Sequence, residues 1–441
     1  MNFSLFFKRL VAALACVGVL TFATARVLAA EHAEAPKAVA GSAAHAETPA
    51  AHGHDAHGNG GPDSSDIVQQ FAYSYLTAFM FVLSLIVASM FFILIHHLFD
   101  AAWSVPVMRI AEHMANLIFP YGFAALLPII GLALAGKLHP WMPLTDWSLT
   151  PTAAADPSLA VKSVMFNKLS FTVLLLGIFG FWAWMARSFR GYSVAQDKDG
   201  AAIWTRKARF LAGWGIFAFA VTVTIVVFLL MKSLQHQFFS TMYGVYYFAG
   251  SMWTTLATYY GITRWLQRKE LKPVILPNHI HDLGKWFFAF TVFYAYIHFS
   301  QYFLIWNAAV PEETFWYVLR EKGTWEHMGF LILFGHFFLP FLLLLRIDSK
   351  MSLNVMGPML VWAWLMHYVD MTYNVMPVLY PQGLHLTLWD PLCFGGLVAV
   401  FGWAWLKDFR AYPSWPQKHP RLKEALVHHE IPKAGEAAAH H

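Results

Sequence analysis

Nine separate stretches of this 441-residue chain are apolar over about 20 residues, the length a helix needs to cross the hydrocarbon core of a bilayer. They run approximately over 72–99, 114–136, 166–186, 209–232, 240–263, 285–309, 329–345, 353–377 and 389–407. The expected fold class is therefore all-α, a polytopic integral membrane protein. A tenth apolar run, Val11 to Ala25, follows Lys8 and Arg9 and is short for a span. It ends in Ala23-Thr24-Ala25, the small-residue pattern of a signal-peptidase site. It can equally be a retained first helix that tolerates Arg26 by snorkelling.

Composition agrees. Hydrophobic residues make up 58% of the chain and charged residues 12%, whereas a soluble chain carries about a quarter charged. The aromatic share of 17% suits interface belts and lipid-facing surfaces. A pI near 9.0 is compatible with a nucleic-acid partner, but the basic residues fall in the loops between apolar runs, where topology accounts for them. With Cys16 and Cys393 the only cysteines, the chain has no disulfide framework, no four-cysteine iron–sulfur site and no covalent haem attachment. Both read as apolar fillers, and a redox centre held by this chain alone would need histidine ligands.

Lysine and arginine then set the orientation. With the N-terminus inside, Arg187, Arg190, Lys198, Arg206, Lys207, Arg264, Arg268, Lys269, Arg346 and Lys350 all fall inside, as does the basic tail. The outside loops hold Lys37, Lys137, Lys162, Arg320 and Lys322. This is a strong positive-inside bias, and it puts the C-terminus in the cytoplasm. Four regions follow: an N-terminal membrane segment over 1–30, a linker over 31–66, a helical bundle over 67–410 and a cytoplasmic tail over 411–441. The linker is rich in Ala, Gly, Pro and His. His32, His45, His52, His54 and His57 can capture a metal, although a disordered external linker explains them as well.

Polar residues inside the spans are the functional candidates, because hydrocarbon makes them expensive. Three consecutive spans each carry a histidine near mid-membrane: His298, His336 and His367. On the first of these, Tyr294, His298 and Gln301 are spaced four and three and so share a helix face. On the third, His367, Asp370 and Asn374 align in the same way. Asp370 is the only carboxylate this deep, and an Asp–His set exchanges protons near neutral pH, as a proton relay requires. The bland alternative is polar glue between helices. A haem held by two of the histidines is also geometrically possible, though each span offers only one. The face Ser240, Gly244, Tyr247, Ser251, Thr254 and Thr258 reads as close helix packing, with a hydroxyl-lined water path as the sharper alternative. His279, His281 and Asp282, beside Lys285, form either a mouth for proton uptake or a helix cap.

The run 281–320, HDLGKWFFAFTVFYAYIHFSQYFLIWNAAVPEETFWYVLR, resembles the F subunit of alternative complex III, a bacterial quinol:electron-acceptor oxidoreductase. AAWSVPVMRIAEHM at 101–114, SFRGYSVAQDKDG at 188–200 and SLQHQFFSTMYGVYYFAGSMW at 233–253 agree, and the resemblance spans about residues 70–410. More broadly the chain is similar to polysulfide-reductase type membrane subunits. The resemblance implies about ten transmembrane helices built around two four-helix bundles, in a bacterial inner membrane. It also implies partners: a homologous C membrane subunit, an iron–sulfur subunit and c-type haem subunits. This subunit would hold no redox centre of its own and would support assembly and proton translocation; a purely structural anchor is the alternative. Iron–sulfur clusters and haem c belong to the partners, and quinone has no assigned ligand here. Where the family has an Asp-Pro-His-Trp-like run before Phe-Ser-Thr, this chain has Gln235, His236, Gln237 and Phe238.

Overall fold

A computed structural model describes residues 62–148, 157–269 and 274–427. The N-terminal run Val11 to Ala25, the linker histidines and the last residues of the tail lie outside them. Every regular element among the described residues is helical. The principal helices, in chain order, are α1 (Ile67–Phe99), α2 (Ala102–Leu134), α3 (Lys168–Asp199), α4 (Ala202–Leu230), α5 (Tyr243–Lys269), α6 (Pro277–Ala308), the short α7 (Pro311–Arg320), α8 (Thr324–Leu344), α9 (Leu353–Val375) and α10 (Trp389–Arg410). Each of the nine apolar runs is thus a helix.

Among the described residues, seven helices are both long and apolar enough to cross a membrane: α1, α2, α3, α4, α6, α8 and α10. α5 and α9, at 27 and 23 residues, have the length but not the hydropathy. Their position explains this. Every residue from 251 to 260 on α5 and from 369 to 375 on α9 is buried, so their polar side chains meet protein rather than lipid. The outward faces of α4, α6 and α8 instead show Phe210 and Phe217, Phe299 and Leu304, and Phe334 and Leu342, all exposed. Apolar faces of that kind suit a lipid solvent.

Helix contacts resolve two groups of four. α1, α2, α3 and α4 pack in one ring, and α5, α6, α8 and α9 in a second. α1 is the post between them, touching α2, α4, α5, α9 and α10; its apolar window is 89% buried, against 33–44% for the other six apolar spans. α10 lies outside the rings against α1 and α2.

Several helices outrun the apolar stretches that announced them. α3 continues from residue 186 to Asp199 and stops only at Gly200, which takes a left-handed φ of 69°. Hydropathy measures the depth of lipid, not the length of helix, and ion pairs hold the polar extension. Asp408 of α10 takes Arg190 of α3, with Nη2 to Oδ1 at 2.7 Å, and His113 of α2 at 2.8 Å. Fully buried Arg109 pairs with Glu112 at 3.0 Å and with Asp197. α2 starts at Ala102, earlier than its apolar run, and bends at Phe119, whose backbone is extended.

The tail fastens this same end. Arg421 bonds to Asp100, Lys418 donates to the Lys198 carbonyl at 2.6 Å, and the Ala425 carbonyl lies 3.0 Å from His279 Nε2. The other ring nitrogen of His279 accepts from the Leu276 amide at 3.0 Å. Of the two roles open to that histidine, the structure displays the helix cap. On α5, Gly244 lets the helix approach Thr224 of α4 so closely that a Cβ would stand 3.0 Å from the Thr224 Cα. Tyr247 donates to the Met80 carbonyl of α1 at 2.7 Å. The small-residue face is therefore a packing face.

Candidate functional site

α9 places His367, Asp370 and Asn374 on one face through helical spacing, and that face turns into the second four-helix ring. Opposite stand Tyr243, Tyr246, Gly250 and Trp253 of α5, Tyr294 of α6 and His336 of α8, with Ser84 of α1 behind. Buried polar atoms are as a rule hydrogen-bonded, so the bonds here can be counted one by one.

Asp370 is 1% exposed. Its Oδ1 accepts from the Tyr246 hydroxyl and lies 3.3 Å from Asn374 Nδ2. The Tyr246 oxygen is 3.3 Å from the Tyr294 hydroxyl and accepts from Asn374 Nδ2 at 3.0 Å. Tyr243 donates to Asn374 Oδ1 at 2.8 Å and so fixes which way that amide points. The other carboxyl oxygen, Oδ2, has no partner.

The tautomer of His367 follows from its neighbour. Ser84 Oγ gives its single hydrogen to the Phe81 carbonyl at 2.6 Å. The contact of 3.0 Å between His367 Nε2 and Ser84 Oγ must then be donated by the histidine. The proton sits on Nε2, and Nδ1 keeps a bare lone pair with no partner. Gly250 makes room for this ring, since a Cβ there would stand 3.2 Å from it.

His336 is held by its faces. Tyr294 stacks on one side with ring centroids 3.6 Å apart and Trp253 on the other at 3.8 Å. Trp253 is fixed in turn by its bond to Thr291 at 2.8 Å. His336 sits in a π turn, Leu333–Phe338, whose Gly335 carbonyl accepts from Trp362 at 2.7 Å. Such single π turns inside α-helices are frequent at functional sites. Both ring nitrogens of His336 are buried without a partner.

The structure thus brings together three of the residues singled out by sequence, His336, His367 and Asp370, with one donor atom of each within 4.8 Å of the others. Tyr294 belongs to the same cluster through His336 and Tyr246. His298 is adjacent and half-buried, its ring 5.4 Å from that of Tyr246 and its Nδ1 unpartnered. Gln301 lies apart: it accepts from Ser240 at 2.8 Å and donates to the Tyr317 hydroxyl at 3.1 Å, one end in the α4–α5 loop and the other on α7. An unsatisfied buried polar atom costs about 1–3 kcal/mol, so His336 Nδ1 and Nε2, His367 Nδ1 and Asp370 Oδ2 together form a strongly unfavourable gap. Arrangements like this persist where a proton, a water or an ion occupies them.

Sequence reasoning did not single out Tyr243, Tyr246, Trp253, Ser84 or Arg320. Arg320 of α7 is fully buried and closes the far end of α9. It donates to the carbonyls of Tyr373 and Asn374, each at 2.9 Å, to that of Trp316 at 2.9 Å and to Gln235 Oε1 at 3.1 Å, and it lies 3.5 Å over the Trp316 ring. Burial pushes its pKa down to about 10, so it remains a cation at neutral pH. An aromatic residue four positions before a lone arginine was the available signal. No known protein family matches this chain, and no curated protein matches it.

Proposed function

We propose that this chain is a non-haem membrane subunit of a bacterial quinol-oxidising complex of the alternative complex III type, and that the His336–His367–Asp370 cluster handles protons within it. The observation that carries the proton role is the set of unpartnered atoms: two imidazoles and a carboxyl group face one another, with a tyrosine hydroxyl on the carboxyl and a second within 3.3 Å of the first. A group that passes a proton needs a free lone pair on one side and an exchangeable hydrogen on the other. His367 has both, a bare Nδ1 and an Nε2–H on Ser84. Tyr246 and Asn374 extend the polar contacts from Asp370 towards Arg320 at the end of α9.

The respiratory assignment rests on the resemblance of residues 70–410. In that reading the redox chemistry belongs to iron–sulfur and c-type haem partners and to a homologous membrane subunit, while this chain anchors them and supplies a proton path. The basic end faces the cytoplasm.

The test is Asp370→Asn in the intact complex, with quinol oxidation and proton release followed together in proteoliposomes. The expected result is normal assembly with protons per electron reduced by at least about half. An unchanged ratio at unchanged turnover refutes the proton role and leaves the structural anchor. Purification without multihaem or iron–sulfur partners refutes the respiratory assignment.

A further inference from the structure

The same atoms support an inference that does not depend on proton transfer. We propose that His336, His367 and Asp370 form a binding site for one divalent transition-metal ion of the zinc class. The ligands are His367 Nδ1, Asp370 Oδ2 and one ring nitrogen of His336, and a water completes the fourth position.

Convergence is the first support. One possible donor atom from each of the three residues lies within 4.8 Å of those of the other two, and the residues are 0%, 1% and 0% exposed for His367, Asp370 and His336. Metal–nitrogen and metal–oxygen bonds of about 2.0–2.2 Å require each donor to draw inward by less than about 1 Å. His336 has no ring hydrogen bond that would have to break for this, its ring lying stacked between Tyr294 and Trp253.

The second support is independent of distance, and concerns the atoms that would not bind metal. A ligating histidine normally hydrogen-bonds through its other nitrogen, and a ligating carboxylate through its other oxygen. His367 donates Nε2–H to Ser84, which leaves Nδ1 as the ligand atom. Asp370 Oδ1 takes Tyr246 and Asn374, which leaves Oδ2. The outer shell therefore stands in place, and the second nitrogen of His367 and the second oxygen of Asp370 are left bare beside an unpartnered His336.

Ligand chemistry narrows the ion. Two imidazoles and a carboxylate suit Zn2+, Fe2+, Co2+ or Ni2+, and they disfavour Mg2+ and Ca2+, which prefer oxygen throughout. One carboxylate leaves a divalent ion with a net positive charge. A bound water whose pKa falls to about 7 can lose a proton and neutralise the site, which suits Zn2+ in a buried setting. Proton and metal compete for the same lone pairs, so a metal-loaded chain could not use these atoms to relay protons.

The experiment uses the full chain carrying a tag free of histidine, produced in cells supplemented with Zn2+ or, separately, Co2+. The purified protein is washed with chelator to clear weakly held ions from the linker histidines. Metal per chain is measured by mass spectrometry for the unaltered protein, His336→Gln, His367→Gln, Asp370→Asn, and His139→Gln as a control at a buried histidine elsewhere. The expected result is one equivalent lost in each of the first three variants and none in the control. The tetrahedral absorption bands of bound Co2+ should vanish in the same three. Helical circular dichroism and gel filtration establish that the variants are folded. X-ray absorption of the unaltered zinc-loaded chain, expected to show two imidazoles and one or two oxygens, gives a readout that needs no variant. Equal metal content in all five proteins, or a six-coordinate all-histidine signature, overturns the proposal. Metal content is read without turnover, so loss of proton release in Asp370→Asn with no metal difference sinks this inference alone.

Discussion

Replacing Arg320 by Met should loosen the end of α9 that carries the site, and the size of the effect can be worked from its bonds. The residue four places after Tyr373 is Pro377, which has no N–H to give the Tyr373 carbonyl. Arg320 supplies that donor, and it supplies another to the Asn374 carbonyl. Two carbonyls left bare cost about 1–3 kcal/mol each, and losing the desolvated stack on Trp316 costs about 2 kcal/mol more. Against this, the variant no longer buries a guanidinium, whose desolvation penalty is several kcal/mol. The expected net loss is about 2–4 kcal/mol. Arg320→Lys keeps the charge but not the planar fork that reaches four acceptors, so it should fall about midway. Thermal unfolding in detergent, followed by circular dichroism and tryptophan fluorescence, measures both variants. The expected fall for Met is several degrees. A melt indistinguishable from that of the unaltered protein would refute the view that Arg320 terminates α9.

Two further expectations concern packing and pH. Gly244→Val would drive a side chain into Thr224, backbone included, and overpacking of this kind costs about 1–3 kcal/mol; unchanged resistance to denaturing detergent would show that α4 and α5 do not meet there as described. Lys232 follows the end of α4, and burial, then Lys162, pushes its pKa down to about 8 from the usual 10.5. Between those values the unfolded chain keeps a proton that the folded protein has shed, so stability should rise as pH goes from 8 to 10.5, by up to about 3 kcal/mol. Lys232→Met should flatten that slope, and an identical pH profile for the two proteins would remove Lys232 as its source.

Much of the fold was legible in the sequence because lipid imposes a length and a composition on every span. The nine apolar runs became helices, and helical spacing correctly placed His367, Asp370 and Asn374 together. Periodicity says which residues share a face of one helix; it does not say which helices turn towards each other. That is why Tyr246, the donor to Asp370, went unremarked, while Gln301, aligned with Tyr294, bonds to Ser240 and Tyr317 instead. His336 reaches the cluster from within a π turn, a local change of helical register with no motif to announce it. Arg320 counted only as an outside charge in a topology argument. Its part in ending α9 goes with Pro377, which removes a donor that the arginine supplies.

The burial of α5 and α9 also bears on how the chain enters the membrane. A carboxylate at mid-span costs about 2.5–3.5 kcal/mol on insertion, and α9 carries Asp370, His367 and Asn374 together. An isolated helix of that kind is a poor entrant into lipid. By the time α5 emerges from synthesis, however, α1 and α4, on which it packs, have already been made; by the time α9 emerges, α1, α5 and α8 have been. Earlier helices serve as the solvent for later ones, and the most apolar helix, α1, comes first among them. Chain order is thus also an order of solvation, in which the polar helices arrive after the surfaces that accept them.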